Sequence, residues 1–360
     1  IGPSLSMYMY DHHIATEYIF MTALIAAGIG LALNSLLKPS QRQPIRDKQP
    51  VSLDRFFLTR ERVVDIPTHD KTVEPLCIED FEERTRAFVK IEDGCDRFCT
   101  YCIIPYTRGP VRSAPMELVV QQAKQLQQQG YREIVITGIE IASWGVDLPG
   151  KPPLSTLLTA ICQAIPQTRV RLGSLEPRII TEKFCEKMAD FPNLCPQFHL
   201  SMQSGCDTVL ERMKRKYNTK RYYESVELLK KYFPGCAVTT DMIVAFPGET
   251  EEEFAASLEF IRKCGFADMH IFPYSRRPGT PADKMPGQHN NATKEARSKA
   301  AIAVAAKMSE EYRKNCIGTT HAVLFEEMED GLFTGHAPNY VKVYAKGEDL
   351  HNEVRPVRIT

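Results

Sequence analysis

The sequence predicts an α/β protein, a partial (βα)6 TIM-like barrel followed by a small all-β module. Two patterns carry this prediction. From residue 84 onward, short apolar runs rich in β-branched residues alternate with helix-like segments, which is typical of parallel strands joined by crossover helices. From residue 316 onward, apolar and polar residues alternate between Gly and Asn turns, which is typical of a small β-module. At 360 residues and 43% hydrophobic composition, the chain is long enough for both.

The predicted strands are short and apolar, and each is followed by a helix-like segment. The strands are FVKI (88–91), EIVITG (133–138), VRLGSLE (170–176), QFHLSM (197–202), AVTTDMIV (237–244) and DMHIFPYS (268–275). The helices between them are 116–129, 154–164, 181–191, 220–232 and 250–264, and a long helix over 293–315 closes the series. In such a barrel the chemistry lies at the carboxyl ends of the strands.

Four segments are predicted: an atypical N-terminal segment (1–50), a linker (51–83), the barrel with its C-terminal helix (84–315) and the β-module (316–360). Residues 18–37 carry no charge and are followed by basic residues, so they are about long enough to cross a bilayer. The alternatives are an apolar helix packed on its own protein and a foreign piece at the start of a fragment. A membrane tether through 18–37 is therefore one of three interpretations of this segment.

Composition indicates the cellular compartment and does not identify the function. The chain has eleven cysteines, an odd number without the spacing of a disulfide framework, so we expect a reducing cytoplasm. The formal charge is zero. A polyanionic partner would therefore be met by local basic patches, since the field of the whole molecule does not attract it.

The stretch GCDRFCTYC places Cys95, Cys99 and Cys102 on one loop directly after the first predicted strand. Three thiolates hold three corners of an iron-sulfur cube and leave one iron open, whereas an electron carrier uses four. A zinc site prefers a second ligand pair, and none lies nearby in the sequence. A cluster of buried thiols and a redox pair at Cys99 and Cys102 stay as alternatives.

The CxxxCxxC loop, with an aromatic residue before its last cysteine, resembles the radical S-adenosylmethionine (SAM) superfamily. Within it, RTRAFVKIEDGCDRFCTYCIIPYTRGPVRSAP, VITGIEIASWGVDL, RLGSLEP, FHLSMQSGCDTVLERMKRKYNT and TTDMIVAFPGETEEEF resemble the methylthiotransferases over about residues 55–360. GPVRS, TGIEIASWG and LGSLEP are most similar to the branch that modifies N6-threonylcarbamoyladenosine in tRNA. The sister branches act on isopentenyl-adenosine in tRNA or on an aspartate of a ribosomal protein.

The resemblance implies a 4Fe-4S cluster with SAM on its open iron, a tRNA substrate bound by a TRAM-like β-module, and an electron donor such as flavodoxin or ferredoxin. It implies SAM contacts at strand ends, for Tyr101, Gly138, Glu176, Gln203, Asp241 and the PGE at 247–249. Turn and helix-capping roles are the alternatives for these residues. Short basic clusters suit RNA phosphates, or simply solvent. They include Arg108, Arg112, Lys214, Arg215, Arg276 and Arg277.

Two departures from the family follow. The family carries a second 4Fe-4S cluster on an N-terminal domain with three further cysteines, whereas only Cys77 precedes Cys95 here. We therefore expect that this domain is missing and that the sulfur comes from a separate source or from a partner that carries the domain. Glu140 stands where close relatives are expected to have His. The hypothesis from another class is a non-catalytic, zinc-stabilised RNA-binding protein.

Overall fold

The computed structural model describes residues 85–360, where the predicted strand runs form an open half barrel. Its strands are β1 (Arg86–Asp93), β2 (Arg112–Ser113), β3 (Glu133–Gly138), β4 (Arg169–Leu172), β5 (Ser174–Leu175), β6 (Gln197–Leu200), β7 (Ala237–Val244) and β8 (Asp268–Pro273). They pair in the orders β2-β1-β3-β4 and β5-β6-β7-β8, and every pairing is parallel except that of β2. The predicted partial barrel is thus confirmed.

Gly173 marks the junction between the two sheets. Its N–H donates to the Ile136 carbonyl at 2.8 Å, and a Cβ at this position would lie 2.9 Å from that same oxygen. The strand predicted as one run over 170–176 therefore divides into β4 and β5, because only glycine permits so close an approach of the two backbones.

The helices cover the outer face of the half barrel. They are α1 (Ile104–Arg108), α2 (Met116–Gln128), α3 (Leu154–Ala164), α4 (Glu182–Ala189), α5 (Asp207–Arg212), α6 (Thr219–Tyr232), α7 (Glu251–Cys264) and α8 (Asn291–Cys316). Local sequence sets their ends. For example, Thr250 and Glu253 form a capping box at the start of α7, and Gly265 ends it in the left-handed conformation.

Alternation along the strands separates the core from the concave face. In β7, Val238, Thr240, Met242 and Val244 are buried, whereas Thr239, Asp241 and Ile243 are half-buried. The buried set packs under the helices, since successive strand residues point to opposite sides of a sheet. The other set therefore lines the concave face, where a ligand has room.

The C-terminal module is a four-stranded antiparallel sheet. Its strands are β9 (Thr320–Glu329), β10 (Leu332–His336), β11 (Lys342–Ala345) and β12 (Val354–Arg358), in the order β11-β10-β9-β12. Asp330 and Gly331, both with positive φ, form the two-residue turn between β9 and β10. Its small core includes Val323, Phe325 and Phe333.

The module docks on the amino-terminal ends of the barrel strands, opposite the cysteine loop. Arg86 at the start of β1 pairs with Glu326 of the module at 2.6 Å. Arg171 of β4 donates to the Pro338 carbonyl at 2.9 Å, and its guanidinium lies 4.7 Å from the centre of the Tyr340 ring. The module therefore forms a floor under the half barrel.

The predictions for residues 1–50, 51–83 and the tether at 18–37 lie outside the described residues. Within 85–360, no helix combines the length and the apolar character that crossing a bilayer requires.

Candidate active site

The cysteine loop leaves the carboxyl end of β1 and folds back on the segment before β2. Gly94 has φ +85°, and a Cβ there would overlap the Pro110 carbonyl oxygen, only 2.0 Å away. The Cys95 N–H then donates to the Gly109 carbonyl at 3.0 Å. Thr100, almost fully buried, ties the loop to neighbouring loops through the Met213 carbonyl (3.2 Å) and the Ala282 N–H (2.9 Å).

The three thiols of this loop are buried or half-buried and lie close enough to influence one another electrostatically. Burial raises the pKa of Cys95 to about 11, and burial also raises the pKa of Cys102. Each sulfur has an N–H donor: the backbone of Arg97 for Cys95, the backbone of Ile104 for Cys102, and the Arg215 guanidinium for Cys99 at 3.2 Å. Such donors stabilise sulfur in its anionic, metal-binding form.

Arg215 is turned inward at the cysteine loop. Its guanidinium stacks 4.8 Å from the centre of the Tyr217 ring and donates to the Ser201 carbonyl at 3.4 Å, in addition to the Cys99 sulfur. Tyr101 places its hydroxyl 3.5 Å from the same guanidinium. The prediction that Arg215 binds an RNA phosphate is therefore corrected, because this side chain is occupied inside the site.

On the other side of the loop, a carboxylate pair faces the cysteines. Glu140 accepts from Arg97 at 2.9 Å and from Ser143 at 2.5 Å, and its own N–H donates to Glu92 at 2.8 Å. Burial raises the pKa of Glu92 to about 8. One carboxylate oxygen of each residue is buried without a hydrogen-bond partner among residues 85–360. Glu140 stands at the position where the resemblance predicted His, and Arg97 holds its carboxylate in place.

The residues predicted to contact SAM lie at different heights of the barrel. Gly138 ends β3, where a Cβ would lie 2.8 Å from Glu92 Oε2, and Glu176 follows β5 and binds Arg178 at 2.7 Å. Gln203, with φ +70°, bridges to Met242 just beyond β6. Asp241 does not lie at a strand end, because it sits inside β7 on the concave face and pairs with His199 at 3.2 Å.

The PGE segment has a structural role at one of its three residues. Glu249 is buried and accepts from the Ala245 N–H and from Arg297, both at 2.7 Å. Its carboxylate joins the end of β7 to α8, so the prediction of a SAM contact does not fit this side chain.

The other predicted basic residues surround the cysteine end of the barrel. Arg108, Lys214 and Arg277 are exposed. Arg112 is largely buried beside Asp93 at 3.4 Å, and Arg276 pairs with Asp283 at 2.8 Å. The loops after β1, α5 and β8 meet at Thr100, which is why these residues, distant in sequence, lie near one another.

Comparisons with known proteins agree with this geometry. The radical SAM superfamily matches residues 89–261. The chain is 39% identical over 322 residues to "Threonylcarbamoyladenosine tRNA methylthiotransferase MtaB" of Bacillus subtilis, covering 87% of this chain and 71% of that protein. The chain belongs to the radical SAM methylthiotransferase family. A "tRNA-2-methylthio-N(6)-dimethylallyladenosine synthase" of Carboxydothermus hydrogenoformans is 36% identical over 316 residues, covering 86% and 72%.

Coverage of the methylthiotransferase relatives is incomplete. The MtaB protein of Thermotoga maritima is 40% identical over 264 residues, which make up 73% of this chain and 60% of that protein. Among solved structures, coproporphyrinogen III oxidase (HemN) from Escherichia coli is similar with a TM-score of 0.47 and 11% identity, covering 78% of this chain and 75% of that one.

The donor set fits the cluster that the family uses. Within 85–360, no three His, Cys, Asp or Glu side chains converge as ligands of one metal ion. A cubane instead takes each thiolate at a separate iron, so its ligands need not share one centre. Three thiols on one loop, each with an N–H donor, match that requirement.

Sequence reasoning missed Glu92, Arg97 and His199, and it gave Arg215 another role. Arg97 lies inside the cysteine motif and Arg215 inside MKRKY, so both were visible as charges but not as buried ones. Glu92 had a signal, a carboxylate at the end of a strand beside the cysteines. His199 had one too, as the polar residue that alternates with Phe198 and Leu200 on β6.

Proposed function

We propose that this chain, as a methylthiotransferase, adds a methylthio group to C2 of N6-threonylcarbamoyladenosine next to the anticodon of a tRNA. The observation that carries the proposal is the loop of Cys95, Cys99 and Cys102 at the carboxyl end of the barrel, in a chain 39% identical to a protein of that name. The proposed substrate is consistent with the cytoplasmic setting that the cysteine content predicts.

Cys95, Cys99 and Cys102 would hold a 4Fe-4S cluster that, when reduced with SAM bound, supplies the radical that abstracts hydrogen. The chain's own residues bind and orient SAM. Beside the loop, Glu140 and Glu92 each have one buried carboxyl oxygen without a hydrogen-bond partner among residues 85–360. The ammonium and ribose hydroxyls of SAM are donors that suit Glu140, whereas Glu92, with its pKa raised to about 8, keeps a proton at neutral pH and can donate. Tyr101, Gly138, Glu176 and Gln203 are proposed to position SAM.

RNA contacts are proposed at both ends of the barrel. Exposed Arg108, Lys214 and Arg277 border the cysteine loop and suit phosphates that flank the target nucleotide. The β-module is proposed to be TRAM-like and to hold the tRNA. An external electron donor is required, and a sulfur source is proposed to come from sulfide or from a second cluster-bearing domain.

A second candidate is methylthiolation of N6-dimethylallyladenosine in tRNA. It is favoured by the 36% identity to the Carboxydothermus synthase over 86% of this chain. The two candidates share all the chemistry at the cysteine loop and differ only in the substituent on N6 of the adenine.

The proposal is tested by incubating the chain anaerobically with SAM, dithionite, sulfide and tRNA that carries either modified adenosine. Mass spectrometry of the nucleosides should detect 2-methylthio-N6-threonylcarbamoyladenosine, and the Cys99→Ala variant should give none. Formation of the dimethylallyl product alone would favour the second candidate. Release of 5′-deoxyadenosine without any change in either tRNA would contradict both.

A further inference from the structure

A cavity of about 670 Å³ lies below the concave face of β6, β7 and β8, with the module as its floor; its surface is more apolar than polar, although most of its lining residues carry a hydrogen-bonding group. Only three of its seventeen lining residues are aliphatic, namely Ala237, Ala267 and Val341. Pockets for small ligands are mostly lined by apolar side chains. The His, Tyr, Arg, Asn and Thr side chains in this wall can hydrogen-bond a ligand, and their rings and methylene groups can contact its apolar parts.

Both signs of charge line this cavity: the carboxylate of Asp268 accepts from the Met269 N–H at 2.8 Å, and three cations stand on the other walls. Arg313, in the last turn of α8, donates to the Ser309 hydroxyl at 2.6 Å and forms no ion pair with a described residue. Lys342 of β11 also lines the cavity, and its ammonium contacts both carboxylate oxygens of the exposed Glu329, at 2.6 and 2.9 Å. The buried Arg171 is already neutralised by Glu133. Arg313 is thus the cation best suited to a carboxylate, and Lys342 could exchange the exposed Glu329 for one.

Rings and a fixed histidine connect the cavity to the cysteine end of the barrel. His199 is held by Thr239 at 3.0 Å and Asp241 at 3.2 Å. On β8, His270 lines the cavity, and its ring stacks on Phe272 with centroids 6.3 Å apart. Phe272 is 50% exposed and lies two residues, or about 7 Å, nearer the carboxyl end of the strand. These rings form a stacking surface above the cavity.

We propose that this cavity binds the N6 substituent of the target adenosine and selects a polar substituent that ends in a carboxylate, as threonylcarbamoyl does. The inference rests on the proposed function. The adenine would stack on Phe272 and His270, and the substituent would reach down to Arg313 and Lys342. A dimethylallyl group would desolvate the polar groups of the cavity wall without giving them partners, which disfavours it.

The test compares three RNA hairpins of one sequence, with adenosine, N6-threonylcarbamoyladenosine or N6-dimethylallyladenosine next to the anticodon. Fluorescence anisotropy at one salt concentration gives the Kd of each for the full chain. Phosphate contacts are equal in the three hairpins, so ratios of Kd isolate the substituent. We expect the threonylcarbamoyl hairpin to bind about tenfold tighter than the dimethylallyl hairpin, since hydrogen bonds to a charged group are the stronger ones.

Arg313→Ala and Lys342→Ala should each reduce this preference, and Arg313→Lys should keep part of it. The matched control is Lys299→Ala, on the same helix as Arg313 and, like Lys342, paired with a surface glutamate, Glu295 at 2.7 Å. It should leave all three Kd values within about twofold.

The outcomes separate this inference from the proposed function. Equal binding of the three hairpins, or a preference that survives both alanine variants, would overturn the inference and leave the nucleoside assay to decide the function. Tighter binding of the dimethylallyl hairpin would overturn the inference in favour of the second candidate. Failure to bind any hairpin would contradict the proposed function together with the inference.

Discussion

Glu133 holds together the interface between the barrel and the module, and its loss should be costly. Its carboxylate is fully buried and accepts from Arg171 Nε at 2.7 Å and from Arg171 Nη2 at 3.0 Å, while Arg169 pairs with it at 2.6 Å. Burial alone would raise the pKa of Glu133, but the two guanidinium groups hold it below its ordinary value. Glu133→Gln keeps the shape and leaves Arg171, 3% exposed, without its counter-charge.

Breaking a buried ion pair from one side costs about 3–5 kcal/mol, a large share of the roughly 5–15 kcal/mol by which domains are stable. Urea unfolding of the full chain, followed by fluorescence of Trp144, measures this cost. Trp144 is the single tryptophan and is buried in the barrel. The control is Glu295→Gln, which breaks an exposed pair and should change the free energy of unfolding by less than about 0.5 kcal/mol. A midpoint for Glu133→Gln equal to that of the control would refute the reasoning.

Three further predictions concern the cysteine loop and the module. Cys99→Ala should lose the iron and sulfide that the parent retains after anaerobic reconstitution, whereas Cys206→Ala, outside the loop, should keep them. Arg215→Gln removes a positive charge beside Cys99 and should therefore lower the reduction potential of the cluster, where about 59 mV corresponds to a tenfold change in the ratio of reduced to oxidised cluster. A redox titration followed by electron paramagnetic resonance measures this shift. An unchanged potential would mean that the contact with Cys99 is only structural. Burial alone would raise the pKa of Glu326, but His336 and Arg86 hold this pKa at about 2. The stability that the Glu326 carboxylate contributes is therefore full above pH 4.5 and is lost as the pH falls toward 2. The Tm of Glu326→Gln should therefore fall less than that of the parent between pH 5 and 3, and parallel curves would contradict this.

Periodicity and spacing predicted the longer strands and helices and the position of the cysteine loop, but not the short elements β2, α1 and α5. Strand-helix alternation predicted β1, β3, β6, β7 and β8, because a buried parallel strand needs a continuous apolar run that a sequence displays directly. The cysteine motif and its place after the first strand needed no tertiary information either. Both features are local, and local features can be read from one sequence.

The partners of charged residues could not be predicted in this way. Arg215 and Lys214 are neighbours in a basic run, yet one side chain is buried against Cys99 and the other is exposed. Asp241 was expected at a strand end and lies inside β7 beside His199. Which member of a basic run turns inward depends on contacts more than a hundred residues away, and a single sequence contains no record of them.

The docking of the module also changes how its removal should be interpreted. Deleting residues from 316 onward takes away Tyr340, which stacks on Arg171, and the carbonyls of Ala337 and Pro338 that accept from the same guanidinium. The buried charges of β3 and β4 would then face water, and the floor of the cavity would be lost. A weakened affinity for tRNA in such a truncation would therefore mix lost RNA contacts with a rearranged barrel. Single substitutions at Lys342 or Arg313 leave the buried network intact, and for that reason they attribute a change in RNA binding to the cavity itself.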